Sequence, residues 1–180
     1  SGDVVLVDGV TGSGKTEVYL AAIERVLAHG RSACVLVPEI SLTAQTVGRF
    51  RSRFGGAVAV FHSRLSAGER LDQWDMVRSG TARVVVGARS ALFCPLADLG
   101  LIVIDEEHDS SYQSEMPPKY HAREVAIQRA KMVGASVVLG SATPSVDSYY
   151  KAMQGEYRLF ELNERAGNAV YPSVYIEDLR

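Results

Sequence analysis

Residues 9–16 read Gly-Val-Thr-Gly-Ser-Gly-Lys-Thr, the spacing of a phosphate-binding P-loop, and no other run limits the possible folds as much. Such a loop works only between a strand and a helix. Both are supplied: Val4, Val5, Leu6 and Val7 form an apolar, largely β-branched run, and a helical pattern begins at Lys15. There, successive backbone N–H groups and the positive helix N-terminus converge on phosphate oxygens. The glycines let the backbone approach without Cβ clashes. The expected nucleotide-binding set is Gly9, Val10, Thr11, Gly12, Ser13, Gly14, Lys15, Thr16 and Glu17. Lys15 would reach the β and γ phosphates, and the Thr16 hydroxyl would ligate Mg²⁺. A glycine-rich turn matching by chance would lack the flanking elements.

An apolar run at 101–104 ends in Asp105-Glu106-Glu107-His108. Hydrolysing a phosphoanhydride needs a metal to spread phosphate charge and a base to orient water. Asp105, at the C-terminal end of a buried parallel strand, is the expected Mg²⁺ ligand, and Glu106 the expected base.

Short apolar runs recur at 4–7, 33–37, 58–61, 83–86, 101–104 and 136–139, mostly separated by amphipathic stretches. This alternation predicts an α/β fold, a mainly parallel β-sheet with helices on both faces. The first helix should pack through Tyr19, Ala22, Ile23, Val26 and Leu27 and stop near Gly30. A second covers about 42–54. Ser66 and Glu69 form a capping-box pattern opening a third, with Leu71, Trp74 and Val77 expected inward. A fourth spans about 121–133, with Arg129 snorkelling from its apolar stripe. A last helix should start at Thr143 as N-cap with Pro144 at N1 and reach about Met153. The longest irregular segment is 105–120, and loops of that length are usually functional or disordered.

At 180 residues, 47% apolar and 22% charged, the chain has the composition of one globular domain. No apolar run approaches the ~20 residues that span a bilayer, so a soluble, cytoplasmic protein with no membrane partner is expected. Cys34 and Cys94 are the only cysteines; they lack zinc-site spacing and read as small core residues. The net charge of −2 gives no global attraction to nucleic acid, so any DNA binding is local. Arg49, Arg51 and Arg53 on the second helix could meet phosphates or simply form a solvated face.

Three further strand ends, at 35–43, 85–93 and 140–145, place small hydroxyls, glycine or arginine on the edge that carries the P-loop. With these the chain resembles the superfamily 2 DNA helicases, most closely those of replication restart. The resemblance rests on the ordered set GVTGSGKTEVYL, VLVPEISLT, FHSRLSAGERLDQW, VVVGARSALF, VIDEEHDSSY, YHAR and GSATPS. It implies a first RecA-like lobe over 1–172, with 173–180 starting a connector to a second lobe. The implied activity is that of an ATP-dependent 3′-to-5′ DNA helicase or translocase in replication restart and primosome assembly, using ATP and Mg²⁺.

Residue by residue, the resemblance assigns phosphate binding to Gly12, Gly14, Lys15 and Thr16, and hydrolysis to Asp105 and Glu106. His108, Ser141 and Thr143 would couple the ATP site to DNA, and Thr43, Arg89 and Ser90 would touch the single strand. The segment from Asp109 to Tyr112 resembles an aromatic-rich loop that senses DNA, although Gln113-Ser114 follows where the family commonly has Lys-Gln. Implied partners are single-stranded or forked DNA, a second helicase lobe and a zinc-binding region of the same parent chain, primosome proteins and single-stranded DNA-binding protein. These 180 residues therefore read as part of a larger enzyme. Two other readings remain open at this point: a small P-loop kinase, and a nucleotide-binding assembly module that does not hydrolyse.

Overall fold

The structure, a computed structural model, describes residues 2–162; the expected lobe boundary at 172 and the connector at 173–180 lie outside the described residues. Seven parallel strands, β1 (Val4–Gly9), β2 (Ser32–Leu36), β3 (Val58–Phe61), β4 (Val84–Gly87), β5 (Leu99–Asp105), β6 (Ser136–Ser141) and β7 (Arg158–Leu162), form one sheet in the order β3-β4-β2-β5-β6-β1-β7. The central strands are almost wholly buried, as sheets covered on both faces require. Five helices pack on them: α1 (Lys15–Ala28), α2 (Ala44–Phe54), α3 (Ala67–Arg78), α4 (Ala122–Val133) and α5 (Val146–Met153).

Strand alternation divides the core into two layers. Val103 and Leu101 face Tyr19 and Ile23 of α1 and Phe50 of α2. Ile102 and Ile104 face the other side, with Val77 of α3, Ala126 and Ala130 of α4, and Ala152 of α5. Cys34 and Cys94 are buried and unbridged, as small core residues; burial pushes the Cys34 thiol up to about 12. No helix among the described residues is long and apolar enough to cross a membrane.

Four local expectations need correction. On α3 the capping box of Ser66 and Glu69 forms, but Leu71 and Trp74 are 59% and 39% exposed. The helix lies against β3, an edge strand, and turns Gln73 inward so that its side-chain oxygen accepts from the Val60 N–H at 2.8 Å. Satisfying that open edge, with Met76 and Val77 as the packing residues, rotates Leu71 and Trp74 toward solvent. The N-cap of α5 is Ser145, not Thr143. Ser141 holds the Thr143 N–H and Glu107 holds the Ser145 N–H, so the intervening turn stays out of the helix. Arg129 does not snorkel; its guanidinium donates to the Leu92 and Cys94 carbonyls. The seventh strand was not anticipated, because at the sheet edge its residues are mostly exposed or half-buried and lack an apolar run.

Candidate nucleotide site

The P-loop joins β1 to α1, as its sequence requires. Gly12 and Gly14 take φ of +82° and +89°, values that residues with a Cβ rarely adopt. Helix α1 has no side-chain hydrogen bond at its N-cap, so its first N–H groups and the dipole are left to an external anion. Lys15 is buried, and its ammonium donates to the Gly9 carbonyl at 2.7 Å. The Ser13 hydroxyl is buried inside the loop without a protein partner. A cleft of about 640 Å³ opens here, lined by Thr11, Gly12, Gly14, Lys15, Thr16, Glu17, Arg49, Asp105 and Glu106. Of the expected nucleotide set, Gly9, Val10 and Ser13 are not among these lining residues; Gly9 takes the Lys15 ammonium on its carbonyl, and the Ser13 N–H donates to the Val10 carbonyl at 2.9 Å.

Asp105 and Glu106 enter the cleft from the end of β5. Burial raises the pKa of Asp105, opposed by the Tyr19 hydrogen bond and the Lys15 charge. Burial raises Glu106 also, and the neighbouring Asp105 charge adds to the effect. Asp105 and Thr16 line the same cleft beside Lys15, and a carboxylate and a hydroxyl are oxygen donors of the kind that could hold Mg²⁺; no cluster of three or more acidic, histidine or cysteine side chains is placed to hold a metal among the described residues. Glu106 has φ of +48°, a sparsely populated conformation for a residue with a side chain. Asp105 is held twice: the Tyr19 hydroxyl donates to its Oδ1 at 2.9 Å, and the Tyr112 hydroxyl to its backbone carbonyl at 2.6 Å.

His108 links this site to the loop after β6. Its Nδ1 lies 2.6 Å from the Ser141 hydroxyl and 3.7 Å from Glu106 Oε2, while the Ser141 oxygen accepts from the Thr143 N–H at 3.0 Å. Glu107 points the other way. Fully buried, it pairs with Arg123 at 2.9 Å and accepts from the Ser145 N–H and the Ser145 and Ser148 hydroxyls. Burial raises its pKa, but these donors outweigh it, and the carboxyl sits below the usual range.

The remaining expected contacts fall in different places. Thr43 caps α2, accepting from the Thr46 N–H at 3.2 Å, and stays exposed. Ser90 is exposed as well. Arg89 donates to the Ser111 and Gln113 carbonyls and stacks on Tyr120 at 5.5 Å, so it clasps the 109–120 loop. Tyr112 is fully buried, and its hydroxyl touches the site through the Asp105 carbonyl.

Sequence reasoning missed four participants. Arg49, read as a DNA-phosphate contact or part of a solvated face, lines the nucleotide cleft. Tyr19 was read as core; a buried phenol needs a hydroxyl partner, which was the available signal. Glu107 and Arg123 were visible only as parts of DEEH and YHAR. Beyond them, Arg51, His62 and Arg64 line a second cleft of about 430 Å³ beside Thr43.

The profile of the DEAD/DEAH box helicases matches residues 1–152. Replication restart protein PriA of Bacillus subtilis (strain 168) is 56% identical over 177 residues, 98% of this chain and 22% of that protein. The PriA of Haemophilus influenzae is 49% identical over 99% of this chain and 24% of its own length. The chain thus spans about a quarter or less of these two relatives. Among solved structures, the Pyrococcus furiosus Hef helicase domain superposes with a TM-score of 0.65 at 21% identity, covering 91% of this chain and 35% of that one. RecG bound to a three-way DNA junction does so with 0.61 at 24%, over 93% and 21%. These two share the fold, a RecA-like sheet with helices on both faces. On the match over residues 1–152, the chain belongs to the DEAD/DEAH box helicase family.

Proposed function

We propose that this chain is the ATP-binding lobe of an ATP-dependent 3′-to-5′ DNA helicase that acts in replication restart and primosome assembly in the cytoplasm. One observation carries the reading: β5, β6 and β1 are adjacent, and the C-terminal end of β5 is joined to helix α1, which follows β1, by the Tyr19–Asp105 hydrogen bond and to the end of β6 by the His108–Ser141 hydrogen bond. A change at the nucleotide is thereby felt at the Ser141–Thr143 turn. The P-loop amides and Lys15 bind the phosphates, Glu106 orients the attacking water and accepts its proton, and His108 holds Glu106 in reach of Ser141. Mg²⁺, held by Thr16 and Asp105, would supply charge neutralisation on the phosphate oxygens.

Single-stranded DNA crosses the same sheet edge, over Thr43, Ser90 and the cleft of Arg51, His62 and Arg64. The contacts are to the backbone, so they are independent of sequence. Support comes from PriA as the named relative and from a structural neighbour bound to a DNA junction. A second lobe and a zinc-binding region of the parent chain, primosome proteins and single-stranded DNA-binding protein complete the assembly.

Calorimetry with Mg-ADP tests the site. Lys15→Ala removes a charge-assisted contact worth ~1.5–3 kcal/mol, so affinity should fall roughly ten- to a hundredfold. Equal binding by the two chains refutes the assignment.

A further inference from the structure

Tyr19 sits on α1 one turn beyond Lys15, and its ring is 2% exposed. A phenylalanine would fill that core space equally well. The hydroxyl, however, lies against Asp105 Oδ1 at 2.9 Å, and the backbone opposite is cut back to admit it. A Cβ at Gly140 would fall 1.6 Å from the Tyr19 oxygen and 2.7 Å from its Cζ. The glycine opening the GSATPS run is therefore the seat of this hydroxyl. Its carbonyl meanwhile accepts the Glu107 N–H at 3.0 Å, which fixes the turn that carries Asp105 and Glu106. Three sequence segments, from α1, the end of β5 and the end of β6, meet at one phenol.

We propose that Tyr19 is a positioning residue for the metal-binding carboxylate. Its hydroxyl locks one oxygen of Asp105 and so fixes the direction in which the carboxylate faces the cleft, and Gly140 is the position that makes room for it. The proposal rests on the reading of Asp105 as a Mg²⁺ ligand. Partners that orient a metal-binding side chain typically contribute about 10–100-fold in metal affinity or activity.

The test is a Mg²⁺ titration of the 180-residue chain with a fluorescent ATP analogue at fixed concentration. Tyr19→Phe should raise the Mg²⁺ needed for half-maximal binding about 10–100-fold. In an Asp105→Asn background the same change should add no further loss, because its effect runs through that carboxylate. An unchanged Mg²⁺ requirement, or an equal added loss in the Asp105→Asn background, overturns the role of Tyr19 while leaving the nucleotide site standing. If the unaltered chain shows no Mg²⁺-dependent binding at all, both readings fall. Should Tyr19→Phe not fold, the unaltered chain carrying ¹³Cζ-tyrosine decides the matter. Adding Mg²⁺ to its ADP complex should shift a solvent-protected tyrosine resonance that is still present in Tyr112→Phe, and tyrosine signals of which none but that of Tyr112 responds to Mg²⁺ would overturn the proposal.

Discussion

Arg123 and Glu107 form an ion pair at 2.9 Å in the interior, with the carboxylate fully buried and the guanidinium side chain only 11% exposed. The same carboxylate takes the Ser145 N–H at 2.6 Å. One ion pair therefore fastens α4, the turn after β5 and the start of α5 to each other.

Breaking such a pair from one side leaves a buried charge without compensation, at a cost of about 3–5 kcal/mol. Arg123→Met should lose that much stability in urea denaturation. A loss below about 1 kcal/mol, the range of exposed pairs, would show that the pair is open in solution.

Acidity should act on this cluster and on the nucleotide site with opposite signs. Glu107 is held below the ordinary carboxylate range, so its contribution is present above the unfolded value of about 4.3 and is lost as pH falls through the folded one. Asp105 is raised, chiefly by burial; its contribution is full below the unfolded value of about 3.9 and is lost as pH rises through the folded one. Without nucleotide, Asp105→Asn should therefore melt at a higher temperature than the unaltered chain at neutral pH, with the gain vanishing near pH 4. Calorimetric melting across that range checks this, and a variant that is less stable throughout would contradict it.

Arg49 and Arg53 share a helix but not a role. Arg53 pairs with Glu24 and lies 3.8 Å from Glu17, whereas Arg49 makes no ion pair among the described residues and lines the nucleotide cleft. Arg49→Ala should weaken Mg-ATP binding by about 1.5- to 5-fold, the range for losing an exposed charge contact of ~0.2–1 kcal/mol. Arg53→Ala should leave it unchanged. The reverse order in a fluorescence titration would exchange the two assignments.

Hydrolysis by the 180-residue chain should stay near background, with or without single-stranded DNA. In related enzymes an arginine delivered from outside the P-loop is worth ~10³–10⁵ in rate, and the resemblance places it on a second lobe. Turnover of about 1 s⁻¹, lost in Glu106→Gln, would point to a self-sufficient phosphotransferase instead.

Trp74, the single tryptophan, should emit at the long wavelengths of a hydrated indole and be quenched readily by iodide. A blue-shifted, protected spectrum would mean that α3 is rotated from the orientation set by Gln73.

The strands and helices that build the site were legible because each carries its own local signal. Val4–Val7 and residues 101–104 are continuous apolar runs, and Gly14 and Gly134 end loop and helix where left-handed backbone is needed. Local pattern failed where a distant polar group decided the outcome. The open edge of β3 claimed Gln73 and turned Trp74 out, and Glu107 drew the start of α5 to Ser145. The P-loop and DEEH run named Lys15, Thr16, Asp105 and Glu106, since their chemistry is written in spacing. Arg49 and Tyr19 gain their place only when α1 and α2 lie side by side over the sheet, a relation that no spacing along the chain expresses.

Strand β6 is hydrogen-bonded on both flanks, to β5 and to β1, across five residue pairs each. It cannot slide lengthwise without rupturing both ladders together. Under the proposed nucleotide cycle the strands would thus serve as an anvil rather than as the moving part. On the proposed reading, the parts of this region left free to respond to a nucleotide are the turns and side chains beyond the C-terminal ends of β5 and β6, from Asp105 to His108 and from Ser141 to Ser145.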